Sequence, residues 1–162
     1  SPDSTFSIVK RAKAAARRPL ITKLSPNVTD IASVARAAEE AGTDALSLIN
    51  TLLAMAVDVE TRRPRLANVT GGLSGPAIKP IALRMVHQVA SRAKVPVIGL
   101  GGIMTGRDAL EFLIVGARAV EVGTANFIDP GASVRIAAEI EEFCRERKID
   151  RVENVIGTLK TD

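Results

Sequence analysis

Apolar residues in this chain fall into short continuous runs separated by longer stretches with helical spacing. The run Pro19-Leu20-Ile21-Thr22-Lys23-Leu24, ended by Ser25-Pro26-Asn27, predicts a buried strand. Thr29-Asp30 predicts the cap of a helix in which Ile31, Val34, Ala35 and Ala38 share a face, closed by Gly42. A second strand is expected over 45–50. Residues 51–74, rich in Thr, Arg, Asn and Gly, read as a long functional loop with small strands of its own, Val57-Asp58-Val59 and Arg65-Leu66 forming the candidate hairpin. A helix is expected over 77–93, with Pro80 tolerated near its first turn. A strand over 95–100 and a helix capped by Thr105 and ending near Gly116 come next. After these are expected a strand over 117–122 and a helix running from the cap Asp129-Pro130 to about Arg147. The tail, 151–162, predicts one short helix, while Ser1-Pro2-Asp3-Ser4 reads as a loop continuing from something upstream.

Four strand–helix units in strict alternation imply an α/β fold, a parallel sheet with right-handed crossovers. Polar and glycine signals gather after each strand, where βα-barrels build their sites. A closed (β/α)8 barrel takes about 250 residues. With 162 residues and half the strands, the expectation is a half of a TIM barrel forming a single partial domain over 1–162.

Composition narrows the picture further. Aromatics make up 2% of the chain, with no Trp or Tyr, so the core must be built from Ala, Val, Ile and Leu, as parallel sheets under helices are. The same scarcity removes the stacking platform that single-stranded nucleic acid needs. The net charge of +4 is modest. The basic clusters Lys10-Arg11, Arg17-Arg18 and Arg62-Arg63-Pro64-Arg65 lack interleaved aromatics and read as solvated faces or contacts to another chain. A single cysteine excludes an internal disulfide and a cysteine-rich metal site, which fits a cytoplasmic protein. No apolar run approaches the ~18–20 residues that span a bilayer, and no signal-peptide pattern opens the chain.

The candidate chemistry lies at the strand ends. Gly101-Gly102 and Gly123-Thr124 each follow a buried strand and precede a helix. Glycine lets backbone approach an anion, and the N–H groups of a helix start favour negative charge. One such pair is explained by a tight turn; two in succession favour a phosphate cradle. Thr70-Gly71-Gly72-Leu73-Ser74-Gly75-Pro76 is a third glycine-rich turn before a helix. Lys23 ends an apolar strand, where the alternatives are a snorkelling surface lysine and a cation placed to hold charge on a reduced cofactor ring. Asn50-Thr51 offer donors and acceptors for carboxylate and amide groups, or form a plain turn. Cys144, in a charged helix, and His87, in a helix body, read as structural.

Taken in order, Thr22-Lys23-Leu24-Ser25-Pro26-Asn27, Ile49-Asn50-Thr51, the segment 71–80, Gly99-Leu100-Gly101-Gly102-Ile103 and Val122-Gly123-Thr124-Ala125 resemble dihydroorotate dehydrogenase. The nearest subgroup passes electrons to NAD through an iron–sulfur flavoprotein partner. The resemblance implies the C-terminal half of an FMN-binding (β/α)8 barrel that oxidises dihydroorotate to orotate in pyrimidine synthesis. It implies that Lys23 contacts the flavin ring, that Ile49 and Gly75 line it, and that Gly101, Gly102, Gly123 and Thr124 hold the phosphate end. Asn50 and Thr51 match positions that hold orotate. The family's catalytic cysteine belongs to the N-terminal half, and Cys144 does not match its motif, so no catalytic residue is assigned here and the chain alone is expected to be inactive. Ala54 stands where the family usually has glycine. The expected partners are the other half of the barrel, dihydroorotate or orotate, an iron–sulfur/FAD electron-transfer subunit and a further copy in a homo-oligomer, with no nucleic acid or membrane. The alternatives are the FMN domain of dihydropyrimidine dehydrogenase and a non-catalytic half barrel holding flavin or another phosphate ligand.

Overall fold

Alternate residues of each apolar run meet different surroundings, and the sheet is built on that difference. The computed structural model describes residues 1–161. In chain order its main elements are α1 (Pro2–Ala15), β1 (Ile21–Leu24), α2 (Ile31–Glu40), β2 (Ala45–Leu48), β3 (Leu52–Met55), β4 (Val57–Asp58) and β5 (Arg63–Pro64). These are followed by β6 (Thr70–Leu73), α3 (Lys79–Ala90), β7 (Val97–Leu100), α4 (Gly106–Ile114), β8 (Ala119–Glu121), α5 (Ala125–Ile128) and α6 (Ala132–Glu146). The principal sheet has the order β1-β2-β7-β8, and every neighbouring pair is parallel. This is the α/β architecture expected of half a (β/α)8 barrel.

In the register Lys23 pairs with Ser47, Leu48 with Gly99, and Leu100 with Glu121. Leu24, Leu46, Leu48, Val97 and Gly99 point one way and are buried under the helices. Ile21, Lys23, Ala119 and Glu121 point the other way and are exposed, with Ala45, Ile98 and Leu100 half-buried among them. The helical side is packed tightly: Phe112 of α4 is fully buried, and a Cβ built on Gly99 would lie 2.6 Å from its ring. A parallel sheet covered on one face only leaves the other as the wall of a barrel interior.

Helix starts follow local chemistry. Asp30 caps α2 by accepting from Ala32 N, and Thr105 and Asp108 form a reciprocal capping box on α4. Pro80 sits in the first turn of α3, as expected, but the helix begins at Lys79 rather than residue 77, because a 3₁₀ turn over Pro76–Ile78 precedes it. The tail carries a 3₁₀ turn over Val152–Val155, while Asp162 lies outside the described residues.

Three expectations are corrected. The opening is not a loop: Ser1 caps α1, with Pro2 and the acidic Asp3 in its first turn, and Val9 buries the helix against the core. Lys13 of α1 pairs with Asp44 at 2.5 Å, which also accepts from Leu20 N and holds the entry to β1. The long segment after β2 carries two antiparallel pairs, not one. β4 pairs with β5 through Val57–Pro64 and Asp58–Arg63, a register shifted from that expected, and β3 pairs with β6. Finally, the last long helix starts at Ala132, capped by Gly131; Asp129 instead closes α5, although its side chain still accepts from Gly131 N at 2.9 Å.

Candidate functional site

The C-terminal ends of β1, β2, β7 and β8 open onto one cleft of about 260 Å³. All nine residues singled out from the sequence line it: Lys23, Ile49, Asn50, Thr51, Gly75, Gly101, Gly102, Gly123 and Thr124. The fold therefore gathers residues spread over a hundred positions at one strand edge, where this topology places ligands. A larger groove of about 400 Å³ lies between α2 and α3, lined by Arg36, Glu39, Glu40, Arg92 and Lys94 among others. It holds none of the strand-end residues. Its Glu39 is used structurally, accepting from Lys94 N and Val95 N at 2.7 and 3.1 Å.

Each wall of the cleft has its own support. Asn27 braces the segment after β2 by donating to Thr51 O at 3.0 Å and accepting from Leu53 N at 2.9 Å. Asn50 Oδ1 accepts from Thr51 N at 2.8 Å, and the Thr51 side chain lies against Gly72 of β6. Thr124 Oγ1 lies 2.9 Å from Ser74 Oγ, tying the third glycine turn to the second glycine pair. Gly102, at φ +78°, lies against the turn at Gly75, since a Cβ built on it would be 2.8 Å from Gly75 O and 2.9 Å from Lys79 N. Only glycine fits there. Gly123 differs: no atom beyond its two chain neighbours lies within 4 Å of a Cβ built on it, and its backbone is not left-handed. Nothing in the chain's own packing explains that glycine, whereas close approach of a ligand would.

A charged brace stands behind the glycine turns. Asp108 Oδ2 accepts from Met104 N and Thr105 N, both at 2.9 Å, and its Oδ1 meets Lys79 Nζ at 2.6 Å. Lys79 also reaches Glu111 at 2.9 Å. Partial burial alone would push the Asp108 carboxyl up, but the Lys79 ammonium and the Met104 and Thr105 donors together hold it below its ordinary value. For Lys79, burial pulls down while Asp108 and Glu111 outweigh it and raise the ammonium. From the other side, Glu139 of α6 accepts from Gly106 N at 2.5 Å and pairs with Arg135 at 2.9 Å. Arg135 in turn pairs with Asp129 at 3.2 Å. The Gly106 N–H and Arg135 hold the Glu139 carboxyl low. The loops bearing Gly75, Gly101-Gly102 and Gly123-Thr124 are thereby fixed relative to one another.

Sequence reasoning missed several residues of the cleft. Glu121, Ser74, Met104 and Phe127 also line it. Glu121 accepts from the buried Ser47 hydroxyl at 2.9 Å. It could have been found by the logic that singled out Lys23, because it too is a charged residue inside an otherwise apolar strand. Cys144 lies on α6 and His87 on α3, neither lining the cleft.

A helix-backed parallel sheet with a glycine-lined cleft at its strand C-termini defines half of a βα-barrel, with the cleft where that fold places its ligands. The dihydroorotate dehydrogenase family model matches residues 1–144, and the chain belongs to that family. It is 62% identical over 159 residues to the Geobacter sulfurreducens dihydroorotate dehydrogenase B (NAD(+)) catalytic subunit, covering 98% of this chain and 52% of that protein. The corresponding Geobacter metallireducens subunit is 60% identical over the same lengths. Among solved structures, DHODH from Eimeria tenella in complex with ferulenol superposes with a TM-score of 0.80 at 29% identity, over 98% of this chain and 48% of that one. The chain spans about half the length of the curated relatives it matches.

Proposed function

We propose that this chain is the flavin-holding half of an FMN-dependent dihydroorotate dehydrogenase, which oxidises dihydroorotate to orotate in pyrimidine biosynthesis and passes the electrons through FMN to NAD. The observation that carries the reading is the convergence of all nine motif residues on one strand-end cleft. The names of the relatives, NAD-linked catalytic subunits, support the electron acceptor. FMN fits the residues present: the open space at Gly123, beside the start of the short helix α5, admits a phosphate oxygen. When bound, FMN supplies the two-electron acceptor that no side chain here can be.

In this reading Gly101, Gly102, Gly123 and Thr124 hold the phosphate end, while Ile49 and Gly75 pack against the ring. Lys23 holds negative charge at the ring, and Asn50 with Thr51 orient the orotate carboxylate and amide groups. Among the described residues, Lys23 and Glu121 are the only ionisable groups lining the cleft. Neither is the cysteine base that the family places in its other half. By itself the chain thus holds cofactor and substrate without starting the oxidation. The remaining half of the barrel, an iron–sulfur/FAD electron-transfer subunit and a second copy complete the assembly, which works in the cytoplasm.

The test is a visible spectrum of the intact protein under anaerobic conditions, before and after dihydroorotate. A flavin band that bleaches on addition is the expected result. A protein without a flavin band refutes the cofactor assignment. A flavin that is bleached by uracil-type substrates with a nicotinamide cofactor, and not by dihydroorotate, refutes the substrate.

A further inference from the structure

Two opposite charges share the cleft, and only Lys23 has been given a role so far. Glu121 stands on β8, the last strand, on the same helix-free sheet face as Lys23 on β1, the first. Its nearest neighbours on that face, Ile98, Leu100 and Ala119, are apolar. The Glu121 side chain is exposed to the cleft, and no ion pair involves it among the described residues, so its charge is not neutralised by a neighbouring cation. What holds it is Ser47, 2% exposed, whose hydroxyl donates to Oε1 at 2.9 Å across the sheet. A buried hydroxyl spanning from β2 to β8 fixes one carboxylate oxygen at the floor of the cleft.

We propose that Glu121 is a tuning residue for the flavin: its charge opposes that of Lys23 and weakens the site's preference for the reduced, anionic cofactor over the oxidised one. The inference rests on the FMN reading above. Lys23 alone would bind the reduced form tightly and hold the electrons back. The opposing carboxylate restores a poise from which electrons can pass onward. A purely structural staple between β2 and β8 would need only an acceptor for Ser47, and a neutral amide would serve as well. That difference makes the two roles separable.

The experiment uses the intact, FMN-loaded protein and Glu121→Gln, which keeps the size and the acceptor for Ser47 while removing the charge. Spectroelectrochemical titration gives the midpoint potential, and FMN titration under oxidising and reducing conditions gives the two affinities. A unit charge about 10 Å away at an effective dielectric of ~20 changes such a ratio about tenfold. The expected result is a rise of about tenfold in the reduced-to-oxidised affinity ratio, a positive shift of about 30 mV for a two-electron couple. Lys23→Met must move the ratio the opposite way. If Glu121→Gln fails to fold, Glu121→Ala, also neutral, must shift the ratio in the same direction as expected for the amide. Bound flavin with an unchanged ratio in the neutral variants overturns the proposal and leaves the cofactor reading intact. Absence of flavin from the unsubstituted protein overturns the cofactor reading, and this inference with it.

Discussion

Alanine at Gly123 and at Gly102 separates a glycine that a ligand requires from one that the fold requires. A Cβ at Gly123 enters open space, with no atom beyond its chain neighbours within 4 Å and no left-handed backbone. Glycine-to-alanine changes at compatible sites reduce the freedom of the unfolded chain, so Gly123→Ala is expected to be neutral or to stabilise by up to about 1 kcal/mol. At Gly102 the backbone φ is +78°, and the new Cβ would lie 2.8 Å from Gly75 O and 2.9 Å from Lys79 N. The left-handed conformation costs alanine roughly 1–2 kcal/mol. Contacts with backbone atoms cannot relax by a rotamer change and add about 1–3 kcal/mol. Gly102→Ala is therefore expected to lose about 2–5 kcal/mol by these two costs together.

The ligand reverses the order of importance. A methyl group at Gly123 occupies the space through which the phosphate end approaches, and losing one or two charge-assisted hydrogen bonds there weakens FMN binding by about 10- to 100-fold, or roughly 1.4–2.8 kcal/mol. Urea melts of the flavin-free intact protein read the stability, and titration of flavin fluorescence reads the affinity. An unchanged FMN dissociation constant in Gly123→Ala would refute the phosphate cradle. A loss of more than about 1 kcal/mol of stability in that variant would refute the open space.

Two further outcomes follow from the packing behind the cleft. Asp108→Asn weakens the capping box and leaves Lys79 with Glu111 alone, and should cost about 1–2 kcal/mol at neutral pH. Because the folded-state carboxyl is held below its ordinary 3.8, this stability is present above pH 3.8 and is lost as pH falls through the folded value. Urea melts at neutral and acid pH should thus show the gap between variant and wild type closing on acidification, and a gap that stays constant would refute the ion-pair account. Phe112→Ala removes a fully buried ring that fills the space beside Gly99, and should cost about 3–5 kcal/mol in the same melts. A loss under 1 kcal/mol would show that this part of the core can collapse around the gap.

Much of the site was legible because its signals are local. A lysine ending an apolar strand, a glycine pair after a strand and a Thr105 cap each depend on a few consecutive residues, and backbone geometry translates them directly. The same locality could have revealed α1, whose Ser1 cap, Pro2 and Asp3 form an ordinary helix start. The segment's apolar face is thin, with Val9 its one buried residue, so hydrophobic periodicity does not mark it. The residues 52–73 were harder. Their strands are short and pair through Gly71 and Gly72 against Ala54 and Leu53, where neither glycine nor the exposed Leu53 advertises a strand.

What the sequence alone determined is the α/β alternation, the strand-end position of the nine cleft residues and the family resemblance, all carried by periodicity and by motifs a few residues long. Only the tertiary structure decided which charges face one another. Ser47 and Glu121 lie 74 positions apart and meet because β2 and β8 flank β7 in one parallel sheet. Lys79 finds Asp108 and Glu111 across 29 and 32 positions because α3 starts beside α4. Such pairings depend on sheet order and register, which no local pattern encodes, and they turn a set of recognisable motifs into a cleft with a defined charge.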